Sequence, residues 1–215
     1  MVLARRLQLG DPSGELRRAM GSFPDPAVAD RVLGTYFIPG GKPSHTPFVS
    51  LSMWTAAPTR RGQELAVVAG FVEVFLAKEG HRGLVGINFL EKIQLPTPAT
   101  LYGALLAGVD YVLVGAGIPR GIPNLLDHLS RHEPVALPLH VSGATPGQPF
   151  DLRFDPLQVL PQPPLPLRRP RFLAIVASAT LAASLARHGS GGSTGSWSRA
   201  RLREGTTHLP AAPSP

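Results

Sequence analysis

The chain has 215 residues, a formal net charge of +7 and no cysteine. This length suits one domain with a sizeable core, and a hydrophobic share of 43% excludes a chain that is disordered throughout. The absence of cysteine excludes disulfides, thiolate metal sites and a cysteine nucleophile. The longest apolar run, FLAIVASATLAASLA, is too short to span a bilayer, and the N-terminus lacks the core of a signal peptide. The sequence therefore predicts a soluble, cytoplasmic protein without a membrane partner.

The basic charge is spread along the chain rather than gathered on one helix face. Arginine pairs begin at residues 5, 17 and 60, and further arginines lie at 168–171 and in the C-terminal tail. No basic stretch alternates with aromatic residues, as a nucleic-acid surface would require. The charge therefore indicates a solvated surface, and no nucleic-acid partner is predicted.

Residues 1–80 begin with an N-terminal extension (1–46) that is rich in glycine and proline. Within it, PDPAVADRVLG predicts one short helix. PFVSLSMW (47–54) is typical of a short buried strand. The next segment predicts a helix that Thr59 caps and Gly80 ends, with an apolar face at helical spacing.

Residues 84–141 alternate between apolar strands and helices. LVGINFL (84–90) and YVLVGAGIP (111–119) predict buried strands, and PVALPLHV (134–141) is extended. Between the first two, Thr97 predicts an N-cap, Pro98 lies in the first helical turn, and Gly108 ends the helix. IPNLLDHLSRHE predicts the next helix.

A proline-rich insertion at 142–170 interrupts this alternation, and LPLHV and FDLRF could form a hairpin there. RFLAIVA then resumes as a strand, and a helix follows that Ser178 caps and Gly189 ends. Near-continuous apolar strands separated by helices favour parallel βαβ units. The predicted fold class is α/β, either an open doubly wound sheet or a partial (β/α)8 barrel of about four units over residues 47–191.

Three predicted strand ends carry residues suited to a ligand site. They are Ser52 with Met53, Asn88, and the glycines Gly115 and Gly117. The carboxyl ends of parallel strands share one side of a sheet, so these residues are predicted to converge there. Each also has a structural interpretation: Met53 as a core residue, Asn88 as a partner of a loop, and the glycines as a turn. The spacing of the histidines predicts no metal site.

These motifs resemble the nitronate monooxygenase family, formerly called 2-nitropropane dioxygenases. The resemblance rests on PFVSLSMW, VGINFLEKIQLPTPATLYGALLAGVDYVLVGAGIP and RPRFLAIVASATLAASLARHGSG, within residues 30–191. It implies an FMN-dependent barrel oxidoreductase that oxidises a small nitronate or a related carbon acid with O₂. It also implies that the flavin contacts six residues at the strand ends: Ser52, Met53, Asn88, Gly115, Gly117 and Ser178.

The family places its catalytic histidine in an A-G-G-H loop after the next strand, and residues 193–215 contain no such loop. Back-translation of GSTGSWSRARLREGTTHLPAAPSP, read one base upstream, can nevertheless spell VDGFVVEGPTAGGHNAPPRGALP. This sequence is a strand followed by the missing loop. We therefore expect a frame-shifted, C-terminally truncated family member whose residues 192–215 form a disordered, out-of-frame tail. Its catalytic residues stay unknown, and the chain as written is expected to be inactive.

Two other functions stay open on the sequence. A flavin-dependent enoyl reductase is a related barrel with the same A-G-G-H loop and a nicotinamide electron donor. The chain could also be a non-catalytic fragment. Turnover of nitronates without a nicotinamide donor would distinguish a nitronate monooxygenase from an enoyl reductase. An absence of bound flavin would favour the non-catalytic fragment.

Overall fold

A computed structural model describes residues 2–139, 141, 143 and 150–175 of the chain. The predicted helix that begins at Ser178, the predicted flavin contact of Ser178 and the tail at 192–215 lie outside these residues. Within them the structure is a mixed α/β fold, in which a small parallel sheet packs against helices.

Three short helices form the N-terminal segment, where the sequence predicted only one. They are α1 (Val2–Gln8), α2 (Glu15–Gly21) and α3 (Pro26–Tyr36). The third matches the predicted helix, and the Asp25 carboxylate caps it by accepting from two backbone N–H groups. All three bury apolar side chains in the same core as the rest of the fold. The division of the chain at residue 46 stays a prediction.

Helix α4 (Arg60–Lys78) links the N-terminal helices to the remainder of the fold. Thr59 caps it through its side-chain oxygen, as predicted, and Gly80 follows its end with a φ of 77°. The Glu64 carboxylate is buried beside Arg31 of α3 and Arg60. Burial raises the pKa of Glu64, but hydrogen bonds from the two guanidinium groups outweigh it and leave the pKa lowered.

Helix α5 (Thr97–Leu106) packs closely along α4. The predicted N-cap at Thr97 is wrong: Thr97 is the first helical residue, and its hydroxyl donates to the carbonyl oxygen of Ile93 at 2.7 Å. Two glycines permit the close approach of the helices. A side chain on Gly103 would begin 1.9 Å from the carbonyl oxygen of Val67, and one on Gly70 would begin 2.1 Å from that of Thr100.

The parallel sheet has three strands in sequential order, β1 (Gly86–Leu90), β2 (Tyr111–Gly115) and β5 (Arg171–Ala174). No closed barrel is present in the part of the chain that the structure describes. The predicted strand at 47–54 is wrong, because this segment is irregular and forms no ladder with β1. The backbone N–H of Val49 instead donates to the side-chain oxygen of Gln8 at 2.7 Å.

An antiparallel hairpin and two helices complete the described fold. Strands β3 (Val135–Pro138) and β4 (Asp151–Phe154) form an antiparallel hairpin, which confirms the predicted pairing of LPLHV with FDLRF. Helix α6 (Ile122–Ser130) follows β2, and the short helix α7 (Pro156–Val159) follows β4. Helix α6 begins at the residue where the sequence predicted a helix.

Alternation along the strands gives the parallel sheet two different faces. Val112 and Val114 of β2 are buried on the face that packs against the helices, with Phe89 of β1 beside them. The other face carries Asn88 and Leu113 at one level of the register and is exposed or half-buried. We call this second side the open face. It ends at Leu90 and Gly115, which face each other in the register, and at Ile175, which follows β5 and donates its backbone N–H to the carbonyl oxygen of Val114.

A buried carboxylate links the opposite end of the sheet to α4. Asp110 accepts from the Lys78 ammonium at 2.8 Å and from the backbone N–H of Val85 at 3.0 Å, and it also pairs with Arg168. These hydrogen bonds outweigh burial and hold the pKa of Asp110 well below its usual range. Its contribution to stability is therefore complete above the unfolded pKa of about 3.9 and is lost as the pH falls below that value.

Asp110→Asn is expected to lower the free energy of unfolding at neutral pH by about 1–3 kcal/mol. The reason is that a neutral amide replaces the charged carboxylate that accepts hydrogen bonds from Lys78, Val85 and Arg168. It should also flatten the decline in stability below about pH 4. Denaturant unfolding at several pH values checks both effects. Asp30→Asn, at an exposed position on α3, is the control. An Asp110→Asn curve that runs parallel to the parent through the acid range would contradict the assignment.

Candidate functional site

The carboxyl ends of β1 and β2 bring together three of the residues that the sequence singled out. Asn88 lies opposite Leu113 in the register, and Gly115 lies two residues further along β2, opposite Leu90. Gly117 follows in the turn after β2. The expected proximity of Asn88 and Gly115 is met, since they lie on adjacent strands two residues apart in register.

Asn88 is exposed on the open face and not buried as the apolar run around it predicted. Its amide makes no hydrogen bond within the described residues and is available to a ligand above the sheet. Gly115 is buried on the same face, and a side chain there would begin 3.3 Å from Ile175. The absence of a side chain at residue 115 thus leaves room for the Ile175 side chain, which covers the backbone of β2 there.

The turn after β2 packs against a carboxylate that the sequence analysis missed. The position of a Cβ on Gly117 lies 2.1 Å from a carboxylate oxygen of Glu91, so only glycine leaves room for that side chain. The Glu91 backbone N–H donates to the carbonyl oxygen of Gly115 at 2.8 Å, and the Gln94 amide donates to its carboxylate at 3.3 Å. Ala116, between the glycines, has a φ of 56°.

A small cleft lies at this end of the sheet, between the strand ends and the starts of α5 and α6. Its volume is about 30 Å³, which is close to the volume of one water molecule. Glu91 and Arg120 provide its charged walls, and Phe89 and Ile122 contribute apolar ones. The cleft is too small for a flavin ring, so a flat ligand would have to lie outside it, over the strand ends and the open face.

Glu91 and Arg120 each occupy a position that the sequence could have indicated. Glu91 is the first residue after β1, and Arg120 lies in the glycine-rich turn between β2 and α6. Charged residues directly after parallel strands are the usual functional positions of such folds. The sequence analysis relied on the apolar strands and the glycines, and it therefore selected Asn88, Gly115 and Gly117 instead.

The structure does not bring Ser52 and Met53 into the sheet. Both lie in the irregular segment after α3 and before α4, and Met53 is 88% exposed. Met53 is therefore not a core residue in this arrangement. Leu51 and Trp54, on either side, are the members of this segment that pack against the core. The predicted flavin contacts of Ser52 and Met53 stay predictions.

The two described histidines near α6 are engaged away from the strand ends. His128 lies 2.8 Å from the Glu133 carboxylate. His132 is buried, and its Nδ1 lies 2.8 Å from the hydroxyl of Tyr102, whose pKa burial raises. No group of three or more potential metal ligands occurs among the described residues. None of their helices is long and apolar enough to cross a membrane.

Comparisons of the chain with family models, with curated proteins and with solved structures gave no significant match.

The strand ends combine one exposed amide with apolar side chains. Asn88 offers an amide without a hydrogen bond among the described residues, on a partly apolar face. The space above Gly115 and Gly117 is occupied by the side chains of Ile175 and Glu91. The described part of the chain offers no enclosed pocket of matching size, so the remainder of a flavin site would have to come from other residues.

Proposed function

We propose that this chain belongs to an FMN-dependent oxidoreductase of the nitronate monooxygenase type, as its motifs suggest. The observation that carries the proposal is the meeting of Asn88, Gly115 and Gly117 at the carboxyl ends of two adjacent parallel strands. A site at this end of such a sheet is where α/β enzymes place their ligands.

In this proposal the protein binds and orients the cofactor through the open face. The Asn88 amide can donate to or accept from the polar edge of a ring, and Leu113 and Leu90 cover its apolar part. A ring that approaches the backbone at Gly115 and Gly117 would displace the side chains of Ile175 and Glu91. The bound flavin would take electrons from a nitronate and pass them to O₂. The small-molecule substrate class is nitronates or related carbon acids.

Neither histidine near α6 lies at the strand ends, and the carboxylate that does, Glu91, accepts a hydrogen bond from the Gln94 amide. His128 pairs with Glu133, and His132 is buried against Tyr102. We propose that the base lies in the A-G-G-H loop encoded in the alternative frame after residue 192. A shift of the reading frame by one base after residue 192 would restore that loop. We call the resulting protein the frame-restored chain.

Asn88→Ala in the frame-restored chain is expected to weaken FMN binding by about three- to tenfold. The reason is that one hydrogen bond contributes about 0.5–1.5 kcal/mol net. Quenching of flavin fluorescence during titration with protein measures the dissociation constant.

The matched control for this measurement is Asn124→Ala, at an exposed asparagine on α6 away from the open face. It should bind FMN like the parent. Equal affinities of the Asn88 and Asn124 variants would remove Asn88 from the site. A frame-restored chain that binds no FMN at all would overturn the proposed function and favour the non-catalytic alternative.

A further inference from the structure

A carboxylate and a guanidinium share the small cleft at the end of the parallel sheet. Glu91 and Arg120 both line it, between the strand ends and the starts of α5 and α6. Its apolar walls include Phe89 and Val114, which belong to the face of the sheet that packs against the helices. The flavin is proposed over the open face, so the proposed oxidoreductase site does not use this cleft.

The Glu91 carboxylate is available to accept a proton. Its Oε1 atom accepts from the Gln94 amide at 3.3 Å, which is a long hydrogen bond. Its Oε2 atom lies against Gly117 and makes no hydrogen bond or ion pair among the described residues. The side chain is half-buried in a cleft whose walls are largely apolar. The Gln94 amide therefore orients the carboxylate and leaves Oε2 available as a base.

The Arg120 guanidinium is unpaired within the part of the chain that the structure describes. A tight turn fixes its backbone, because the N–H of Arg120 donates to the carbonyl oxygen of Ile118 at 2.8 Å and Pro119 between them is buried. A planar guanidinium offers parallel N–H donors to two coplanar anionic oxygens. Arg120 and Glu91 line one cleft without forming an ion pair, so a small molecule can lie between the two charges.

We propose that Glu91 and Arg120 form a flavin-independent proton-transfer site for small nitroalkanes. Glu91 Oε2 removes the proton from the carbon next to the nitro group. As that C–H bond breaks, its electron pair forms the C=N bond of the nitronate. The negative charge moves to the two nitro oxygens, where Arg120 stabilises it. The proton then returns from Glu91 to carbon or to solvent, so the reaction consumes no oxidant and no cofactor.

The chemistry of the two groups favours a nitroalkane over other carbon acids. A carboxylate is a weak base, so it suits only carbon acids whose anions are strongly stabilised. A nitronate carries its charge on two coplanar oxygens, which a guanidinium can bind in parallel. The cleft, with a volume of about 30 Å³, suits a nitro group, so the rest of the molecule would lie at its mouth. The product is the substrate class of the proposed oxidation, but the proton transfer does not depend on that oxidation.

Deuterium exchange into nitroethane measures this reaction in the full chain as written. The protein is incubated with nitroethane in weakly acidic D₂O buffer, and NMR follows the proton signal of the carbon next to the nitro group. We expect exchange in proportion to protein concentration, at a rate about 10²-fold or more above that in buffer. Glu91→Gln, which keeps the shape of the side chain, should remove this enhancement. Arg120→Gln should lower it about tenfold, less than loss of a donor in an enclosed site, because Arg120 is exposed.

Glu73→Gln and Arg82→Gln are the matched controls, because each removes an exposed charge away from the cleft. Glu73 lies on α4, and Arg82 lies before the amino end of β1. Both should exchange nitroethane at the parent's rate, and circular dichroism confirms that each variant is folded. The proposal is overturned if the folded chain adds nothing to the exchange in buffer, or if either cleft variant exchanges as fast as its control. No flavin is added, so these outcomes are separate from FMN binding by the frame-restored chain.

Discussion

Gly103→Ala is expected to lower the free energy of unfolding by about 3 kcal/mol or more, at the upper end of the cost of overpacking. The new methyl group would begin 1.9 Å from the carbonyl oxygen of Val67, and the amide nitrogen of Phe71 is 2.9 Å away. Both neighbours are backbone atoms within a helix, so no side-chain rotation relieves the clash. Helices α4 and α5 would have to separate along their whole contact.

Denaturant unfolding followed by circular dichroism measures this effect. Gly70→Ala, on the facing helix, should be similarly severe because its methyl group would begin 2.1 Å from the carbonyl oxygen of Thr100. Gly34→Ala is the matched control, because Gly34 lies in α3 with open space around it. That change should be neutral or stabilise by about 0.5–1 kcal/mol through helix propensity.

A Gly103→Ala variant as stable as Gly34→Ala would show that α4 and α5 do not pack as closely as described. The free energy of unfolding of the Gly70→Ala/Gly103→Ala double variant shows whether the two substitutions disturb the same helix contact. Because both glycines lie in one helix contact, their effects should not add, whereas changes at distant sites usually do.

Local signals predicted the elements of this fold better than their contacts. Thr59 and Gly80 delimit α4 as expected, because a cap and a left-handed glycine act on their own helix. The close approach of Gly70 and Gly103 was not predictable in the same way. Both glycines lie inside helical patterns, where glycine alone is only a weak helix former, and the reason for them is a partner distant in sequence.

The segment at 47–54 shows how a tertiary contact overrides a strand pattern. Its apolar residues are typical of a strand, but Leu51 and Trp54 satisfy their burial against the core without a ladder. The backbone N–H of Val49 donates to the side-chain oxygen of Gln8 in α1, a helix that the sequence analysis did not predict. The pairing partner of a short apolar strand depends on such distant choices.

Asn88 was predicted in a buried strand for a related reason. Parallel strands are usually covered on both faces, so a continuous apolar run does not indicate which face of the sheet is left exposed. Among the described residues the helices cover the face of Phe89 and Ile87, while Asn88 stays exposed opposite. Convergence of the strand ends was predictable, because it follows from parallel pairing alone; the exposure was not.

Restoring the reading frame after residue 192 is expected to have the largest functional effect of any change to this chain. The frame-restored chain should bind FMN, turn yellow and oxidise a propyl nitronate with O₂. The chain as written should be colourless and inactive, because the A-G-G-H loop is absent from residues 193–215. General-base catalysis alone contributes about 10²- to 10⁴-fold, and loss of the flavin would remove the remaining activity.

Three measurements separate the causes of such a difference. Sequencing the gene across the codons for Gly191, Gly192 and Ser193 tests the frame itself. Alanine in place of the restored loop's histidine should keep the flavin and lose about 10²-fold or more in turnover, which isolates the base from cofactor binding. Addition of a nicotinamide donor should not be needed, and a strict need for one would favour the enoyl reductase alternative.

A yellow, active protein with the sequence as written would contradict both the frame shift and the placement of the base. That outcome would require a base among residues 1–215. Glu91 already lies at the strand ends, whereas His128 and His132 would first have to leave Glu133 and Tyr102.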